Sequence, residues 1–220
     1  MTRSITVHLV RHGESLWNAE GRYQGQQDSG LTAYGRDQAA RFGEAFAREV
    51  PRPDAVVSSD LPRVRDTAQQ YVDRVGVSVD QDPALREMSV GDWAGMTLEE
   101  AARRYPDIVA AVAAGEDLAR GVGGETFAET RQRVVDAIDR VVAELEAQEG
   151  DRTGVVFTSG NPIRLAAAHT LGVPSPGHMV LAAPDNCSVT TFRFRAGRRE
   201  VVRYNHDIAP ARPADPREIS

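Results

Sequence analysis

A chain of 220 residues fits one large domain or two small ones and is long enough to bury a substantial core. With 41% apolar and 26% charged residues it has the composition of a soluble globular protein, and its net charge of −6 argues against general affinity for nucleic acid. No apolar stretch approaches membrane-spanning length, and the six-residue apolar run after Arg3 is too short for a signal peptide. Cys187 is the single cysteine, which excludes an internal disulfide and suits a reducing cytosol. A cytoplasmic protein with no membrane or nucleic-acid partner is expected. There is no zinc-type spacing such as His-Glu-x-x-His, so no metal and no cofactor are expected. Any anion site has to be built locally from arginines, since the chain has no lysine.

Strand-like and helix-like segments alternate along the chain. Ile5–Val10 reads as a buried strand. Thr32 is a helix N-cap, and Ala39, Phe42, Ala45 and Phe46 carry helical spacing through about Glu49, where Pro51 and Pro53 stop it. Asp54–Ser59 reads as a second strand. Leu61–Val75 reads as a helix with Pro62 in its first turn, and Val77–Val79 as a short strand. The segment from Pro83 to Gly124 differs: two short helical pieces, Thr97–Tyr105 and Pro106–Ala114, precede a Gly-rich break at 121–124. It reads as a cap-like insertion over the end of the sheet. A long helix follows over Thr126–Gln148, opened by the capping-box pair Thr126 and Glu129. Then come a strand at Gly154–Thr158, a helix at Pro162–Leu171, and a hairpin of Ser188–Arg195 with Glu200–Tyr204 around Ala196-Gly197. The alternation predicts an α/β three-layer sandwich with a mostly parallel central sheet and helices on both faces. One domain is expected over 1–206, with the insertion at about 83–124 and a loose tail at 207–220.

Chemistry-bearing residues cluster where strands should end, the usual ligand-binding edge of such a sheet. Arg11-His12-Gly13 follows the first strand: an imidazole beside a guanidinium suits nucleophilic attack on phosphorus with the anionic oxygens held. Arg63 lies near the start of the helix after the second strand, where free N–H groups also favour anions. Glu87, flanked by Leu85, Met88 and Trp93, is placed for partial desolvation and general-acid work. Taken singly, each has a plainer reading: a hydrogen-bonded strand-end histidine, a solvated arginine, a loop glutamate.

Spaced blocks change that balance. Leu9-Val10-Arg11-His12-Gly13-Glu14-Ser15 with Trp17-Asn18, Gln24-Gly25, Asp28 and Leu31-Thr32 comes first; Ser58-Ser59-Asp60-Leu61 with Arg63, Leu85-Arg86-Glu87 with Gly91-Asp92-Trp93, and Gly123-Gly124-Glu125-Thr126-Phe127 with Arg133 follow. Through these blocks the chain resembles the histidine phosphatase superfamily, the phosphoglycerate-mutase-like proteins, over nearly its whole length. The resemblance implies that His12 is the nucleophile that becomes phosphohistidine, Arg11 and Arg63 the phosphate clamp, and Glu87 the proton donor. Asn18, Gln24, Gly25, Ser159 and Gly160 are implied phosphate or substrate contacts, and no metal is required. His12 must be neutral to attack, with its other ring nitrogen held by a local backbone carbonyl.

The chain departs from the family at one place. Where the family has a second histidine, in a Ser-His-Gly-Gly-like block, this chain reads Thr158-Ser159-Gly160-Asn161, with Ser159 at the histidine position. Losing one preorganised donor to a transition-state oxygen costs roughly 3–4 kcal/mol. Three readings follow: slower catalysis through Arg11, His12, Arg63 and Glu87; a substitute histidine (His169, His178 or His206); or a phospholigand-binding protein with little turnover. The leading expectation is a metal-independent phosphomonoesterase acting on a small phosphorylated metabolite, with a phosphoglycerate mutase-type isomerase or a weakly catalytic binding protein as alternatives. Expected partners are the phosphorylated substrate and, as an open option, a second copy of the chain in a homodimer.

Overall fold

In the computed structural model, which describes residues 3–209, the alternation resolves into six strands and seven α-helices among the described residues. The strands are β1 (Ser4–Arg11), β2 (Ala55–Ser58), β3 (Asp80–Gln81), β4 (Arg152–Thr158), β5 (Val189–Arg195) and β6 (Arg198–His206). The helices are α1 (Leu16–Ala19), α2 (Ala33–Glu49), α3 (Pro62–Val75), α4 (Leu98–Arg104), α5 (Pro106–Ala113), α6 (Phe127–Glu146) and α7 (Gly160–Thr170). The sheet order is β3-β2-β4-β1-β5-β6. The β3-β2, β2-β4 and β4-β1 pairs are parallel, and β5 and β6 add antiparallel strands at one edge. The sheet is therefore mixed, with parallel pairing in its centre.

Period-2 alternation distributes the strand side chains to two cores. Ile5, Val7, Leu9, Val57, Val156, Phe192 and Phe194 pack beneath α6 and α7. Val10, Val56, Val155, Phe157 and Val189 face α2 and α3, where Phe42, Phe46 and Tyr71 form a linked aromatic group. Buried on both faces, β1 and β4 read as nearly continuous apolar runs for this reason. Helix starts follow the expected chemistry. The Thr32 hydroxyl accepts from the Gly35 N–H, and Thr126 and Glu129 form a reciprocal capping box.

The apolar alternation at Val77–Val79 belongs to no strand. The strand is β3, which begins at the next residue, Asp80, and pairs only with Val57 and Ser58. Val77 and Val79 instead pack half-buried against the α2–α3 core, so the apolar signal was a packing signal rather than a pairing one. The helix expected from Pro162 begins two residues earlier, with Pro162 inside its first turn, where its missing N–H has no cost. Helix α1 was not foreseen; four residues are too few for periodicity, and only the capping box of Ser15 and Asn18 marks it. Beyond Ala209 the expected tail lies outside the described residues.

The start of α2 is pressed against the turn that follows β1. Thr32 N–H donates to the Glu14 carbonyl at 2.9 Å, and a Cβ at Gly35 would stand 1.9 Å from that same oxygen. Alanine is the better helix former by about 1 kcal/mol. Here, however, the obstacle is backbone that cannot swing aside, so overpacking should win. Gly35→Ala is expected to lower the unfolding free energy by roughly 1–2 kcal/mol, read from the urea midpoint at constant slope.

Candidate active site

Three parallel strands end side by side. Arg11 pairs with Thr158 and Ser58 with Phe157, so Arg11-His12, Thr158-Ser159 and Ser58-Ser59 emerge at one edge. The His12 backbone N–H donates to the Thr158 carbonyl at 3.2 Å, carrying the sheet pattern one residue past β1.

The His12 ring is 2% exposed. Nδ1 lies 2.7 Å from the Gly13 carbonyl oxygen, and Nε2 lies 3.2 Å from Arg63 Nε. A carbonyl only accepts and a guanidinium only donates, so Nδ1 carries the proton and Nε2 presents its lone pair. Burial, then the positive charges of Arg63 and Arg11, hold the imidazolium far below its ordinary range; the Gly13 bond opposes them and does not prevail. The ring is neutral, as nucleophilic attack requires.

Arg63, 1% exposed, sits in the first turn of α3. Its Nη1 donates to the Gln27 carbonyl at 2.7 Å and to Asp28 Oδ1 at 3.1 Å, and its Nη2 donates to the Gly25 carbonyl at 2.8 Å. Gly25 holds this turn at φ +54°, and a Cβ there would meet Val90 Cγ2 at 2.7 Å. The Gln24 side chain donates from Nε2 to Ser15 Oγ at 2.5 Å and accepts from the Ser29 hydroxyl at 3.2 Å. Gln24 and Gly25 thus shape the loop that aims Arg63.

Arg11 donates through Nη1 to the Pro184 carbonyl, while its Nε is buried with no hydrogen-bond partner. The Ser159 hydroxyl is likewise fully buried and unpartnered, at the start of α7. Gly160 lies beside Arg11: a Cβ there would be 3.5 Å from Arg11 Nε. Buried polar groups are normally paired. Here two donors remain for an incoming oxygen.

Glu87 is half-buried and accepts from the Met88 N–H at 2.7 Å and the Asn161 N–H at 3.3 Å. Glu87 lies close enough to Arg11 to act on it electrostatically. The charged groups expected at separate strand ends therefore converge. Asn18 is one step removed: its Oδ1 accepts from Asn186 Nδ2 at 3.4 Å, and the same Nδ2 donates to the His12 carbonyl at 2.8 Å. Among the described residues, His169, His178 and His206 make no hydrogen bond to Arg11, His12, Arg63 or Glu87, and no three His, Cys, Asp or Glu are grouped as a metal site requires.

Two residues at this site escaped the sequence reading of roles. Asn186 arrives because β5 runs antiparallel to β1, with Val10 opposite Val189, so the turn before β5 returns to His12. Arg133 of α6 donates to the carbonyls of Ala84, Arg86 and Glu87 at 2.7–2.9 Å and forks onto Glu125. It fixes the backbone that carries Glu87. Burial disfavours the Glu125 carboxylate, yet the Arg133 fork and the Ser89 N–H outweigh it and hold its pKa below the ordinary value.

A neutral imidazole whose lone pair meets a guanidinium lies at the carboxyl ends of parallel strands, the usual ligand-binding edge of an α/β sheet, and is suited chemically to nucleophilic attack. The chain belongs to the histidine phosphatase superfamily, whose branch 1 model matches residues 7–207. It is 35% identical over 191 residues to a metal-independent phosphoserine phosphatase of Arabidopsis thaliana, covering 86% of this chain and 76% of that protein. It is 36% identical over 186 residues to a probable phosphoglycerate mutase GpmB of Erwinia tasmaniensis, covering 84% and 83%. Its fold matches the solved structure of a mycobacterial glucosyl-3-phosphoglycerate phosphatase with a TM-score of 0.82 at 30% identity, over 93% of this chain and 100% of that one.

Histidines buried in neutral form link stability to pH. His8, beside Phe46 and Thr191, is pushed down to about 4 by burial and Arg203; His178, packed on Phe127, to about 4 by burial and Arg164. With His12 this makes three groups that bind a proton on unfolding but not when folded. Stability is full above the unfolded value of 6.5 and is lost as pH falls from there toward 4. On unfolding at pH 5 these histidines should take up about two to three protons from solvent, read from the slope of urea-derived stability against pH between 7 and 5.

Proposed function

We propose that this phosphoric monoester hydrolase works without a metal, through a phosphohistidine on Nε2 of His12. The observation that carries the reading is the His12 ring itself: buried, neutral, tethered at Nδ1, with Nε2 directed to Arg63. Phosphoryl transfer depends mainly on positioning and on stabilising charge on the equatorial oxygens. Arg63 and Arg11, with the Ser159 hydroxyl and the Gly160 N–H at the start of α7, supply that charge and those donors.

In the first step the Nε2 lone pair attacks phosphorus and the bond to the alcohol oxygen breaks. The Glu87 carboxyl delivers its proton to the leaving oxygen. In the second step Glu87, now a carboxylate, takes a proton from water; the oxygen attacks phosphorus, the P–N bond breaks, and inorganic phosphate leaves. Relatives named as phosphatases support hydrolysis over the isomerase alternative, although a relative named as a probable mutase shares a similar identity. One domain carries this chemistry, with 83–124 as its cap.

In this mechanism Ser159 takes the place of the family's second histidine. A hydroxyl can bond a phosphate oxygen but brings no charge, so catalysis rests on the arginines and His12. His12→Ala is expected to abolish phosphate release from an aryl phosphate measured with chelator present, while the wild-type rate is unchanged by the chelator. Persistent release in that variant would remove the phosphohistidine route. Ser159→Ala should act in opposite directions on two readouts. Deleting an unpartnered buried hydroxyl should raise stability by roughly 1 kcal/mol. Loss of a donor to phosphate should lower kcat by about tenfold.

A further inference from the structure

A cavity of about 950 Å³ opens beside the proton donor. Met88, next to Glu87, lies in its wall, as does Asn161, whose N–H holds Glu87 Oε2. The cavity therefore adjoins the residue proposed as proton donor, on the side from which the leaving alcohol would depart, and is of the size that takes a drug-sized ligand.

Apolar side chains dominate the rest of its lining, among them Trp93, Phe127, Met179 and, from α5, Val109 and Val112. Helix α5 reads Pro106-Asp107-Ile108-Val109-Ala110-Ala111-Val112-Ala113, apolar nearly all round, yet none of its residues is fully buried. A helix of that composition normally lies inside a core. At the mouth, Met179 is 66% and Val180 74% exposed.

Two arginines of the wall are committed, while Glu116 and the Tyr23 hydroxyl also line it and make no side-chain hydrogen bond among the described residues. Arg164 donates from Nε and Nη2 to the Leu181 carbonyl and from Nη2 to that of Met179. Arg120 donates to the Leu118 carbonyl and lies over the Phe127 ring at 4.3 Å. The Asn161 N–H is on Glu87. A polyhydroxylated body bound here could pair only a few hydroxyls, with groups such as Glu116 and Tyr23, and would set the others against apolar wall at a desolvation cost. A hydrocarbon body pairs with these walls at no such cost.

We propose that the substrate is a phosphate monoester of a bulky, predominantly apolar alcohol, with its carbon body in this cavity and its phosphate among Arg11, His12 and Arg63. This rests on the phosphatase reading of His12 and assigns the leaving-group side of that site.

An n-alkyl phosphate series from ethyl to octyl tests it, because the leaving alcohols are of nearly equal basicity and the bond-breaking chemistry is constant. The kcat/KM is expected to rise about fourfold per methylene until the cavity is filled. Hexyl phosphate should exceed both phosphoserine and 3-phosphoglycerate by at least about tenfold. Alkylphosphonates, which carry no ester bond to break, should show inhibition constants that fall along the same series. Val112→Glu in α5 and Met179→Glu in the turn at 177–180 should each reduce the rise to about twofold or less per methylene. A flat or falling series in the wild type overturns the proposal, as does a rise that survives unchanged in both folded variants. If the series is flat while His12→Ala is inactive, the substrate class fails and the phosphatase mechanism stands. If His12→Ala still releases phosphate, the mechanism fails on its own account, and the phosphonate series still reads the cavity.

Discussion

The hydrogen bond from Arg63 Nε to His12 Nε2 is the contact on which the site depends. It joins the end of β1 to the start of α3 and so couples the sheet to its helical layer at the reacting atom. Its geometry decides the tautomer, because a guanidinium has no lone pair to offer. Its charge, together with burial, keeps the ring neutral. In the proposed mechanism the same donor therefore both restrains the resting lone pair and becomes a ready partner for phosphate oxygen once that lone pair is spent on phosphorus.

Around that contact the structure separates two kinds of anchoring. Arg63 is held by carbonyls and by Asp28, so its direction is fixed before any ligand arrives. Arg11 is fixed only at Nη1, and its Nε remains unpartnered beside Gly160 and Ser159. A site with one guanidinium fully oriented and another partly unsatisfied pairs rigidity with residual binding capacity. The unsatisfied groups reduce stability and are the natural contacts for an anion.

Much of this was legible in the sequence because it was local. Buried runs such as Ile5–Val10 declare strands, and Thr126 with Glu129 declares a helix start. Arg11 and His12 are adjacent in sequence, so their partnership needed no fold to be seen. What was not legible depends on long-range pairing. Asn186 reaches the His12 carbonyl through the β1–β5 register, and Arg133 reaches the Glu87 loop across some 46 residues. Val77 and Val79 show the converse: a correct apolar pattern whose destination, a helical layer rather than a ladder, was decided by packing. The apolar stretch in α5 was readable as a helix, whereas its place in a cavity wall required its neighbours.

Arg63 takes its anchors from the carbonyls of Gly25 and Gln27 and the carboxylate of Asp28, all within one short loop. Those anchors form or fail together. Hydrogen exchange of this loop and of the Arg63 amide, itself bonded to Asp28, is then one cooperative event rather than independent fraying. The free energy of that local opening, and not the global stability of the sheet, then sets the fraction of molecules in which Arg63 meets His12 Nε2 at any moment.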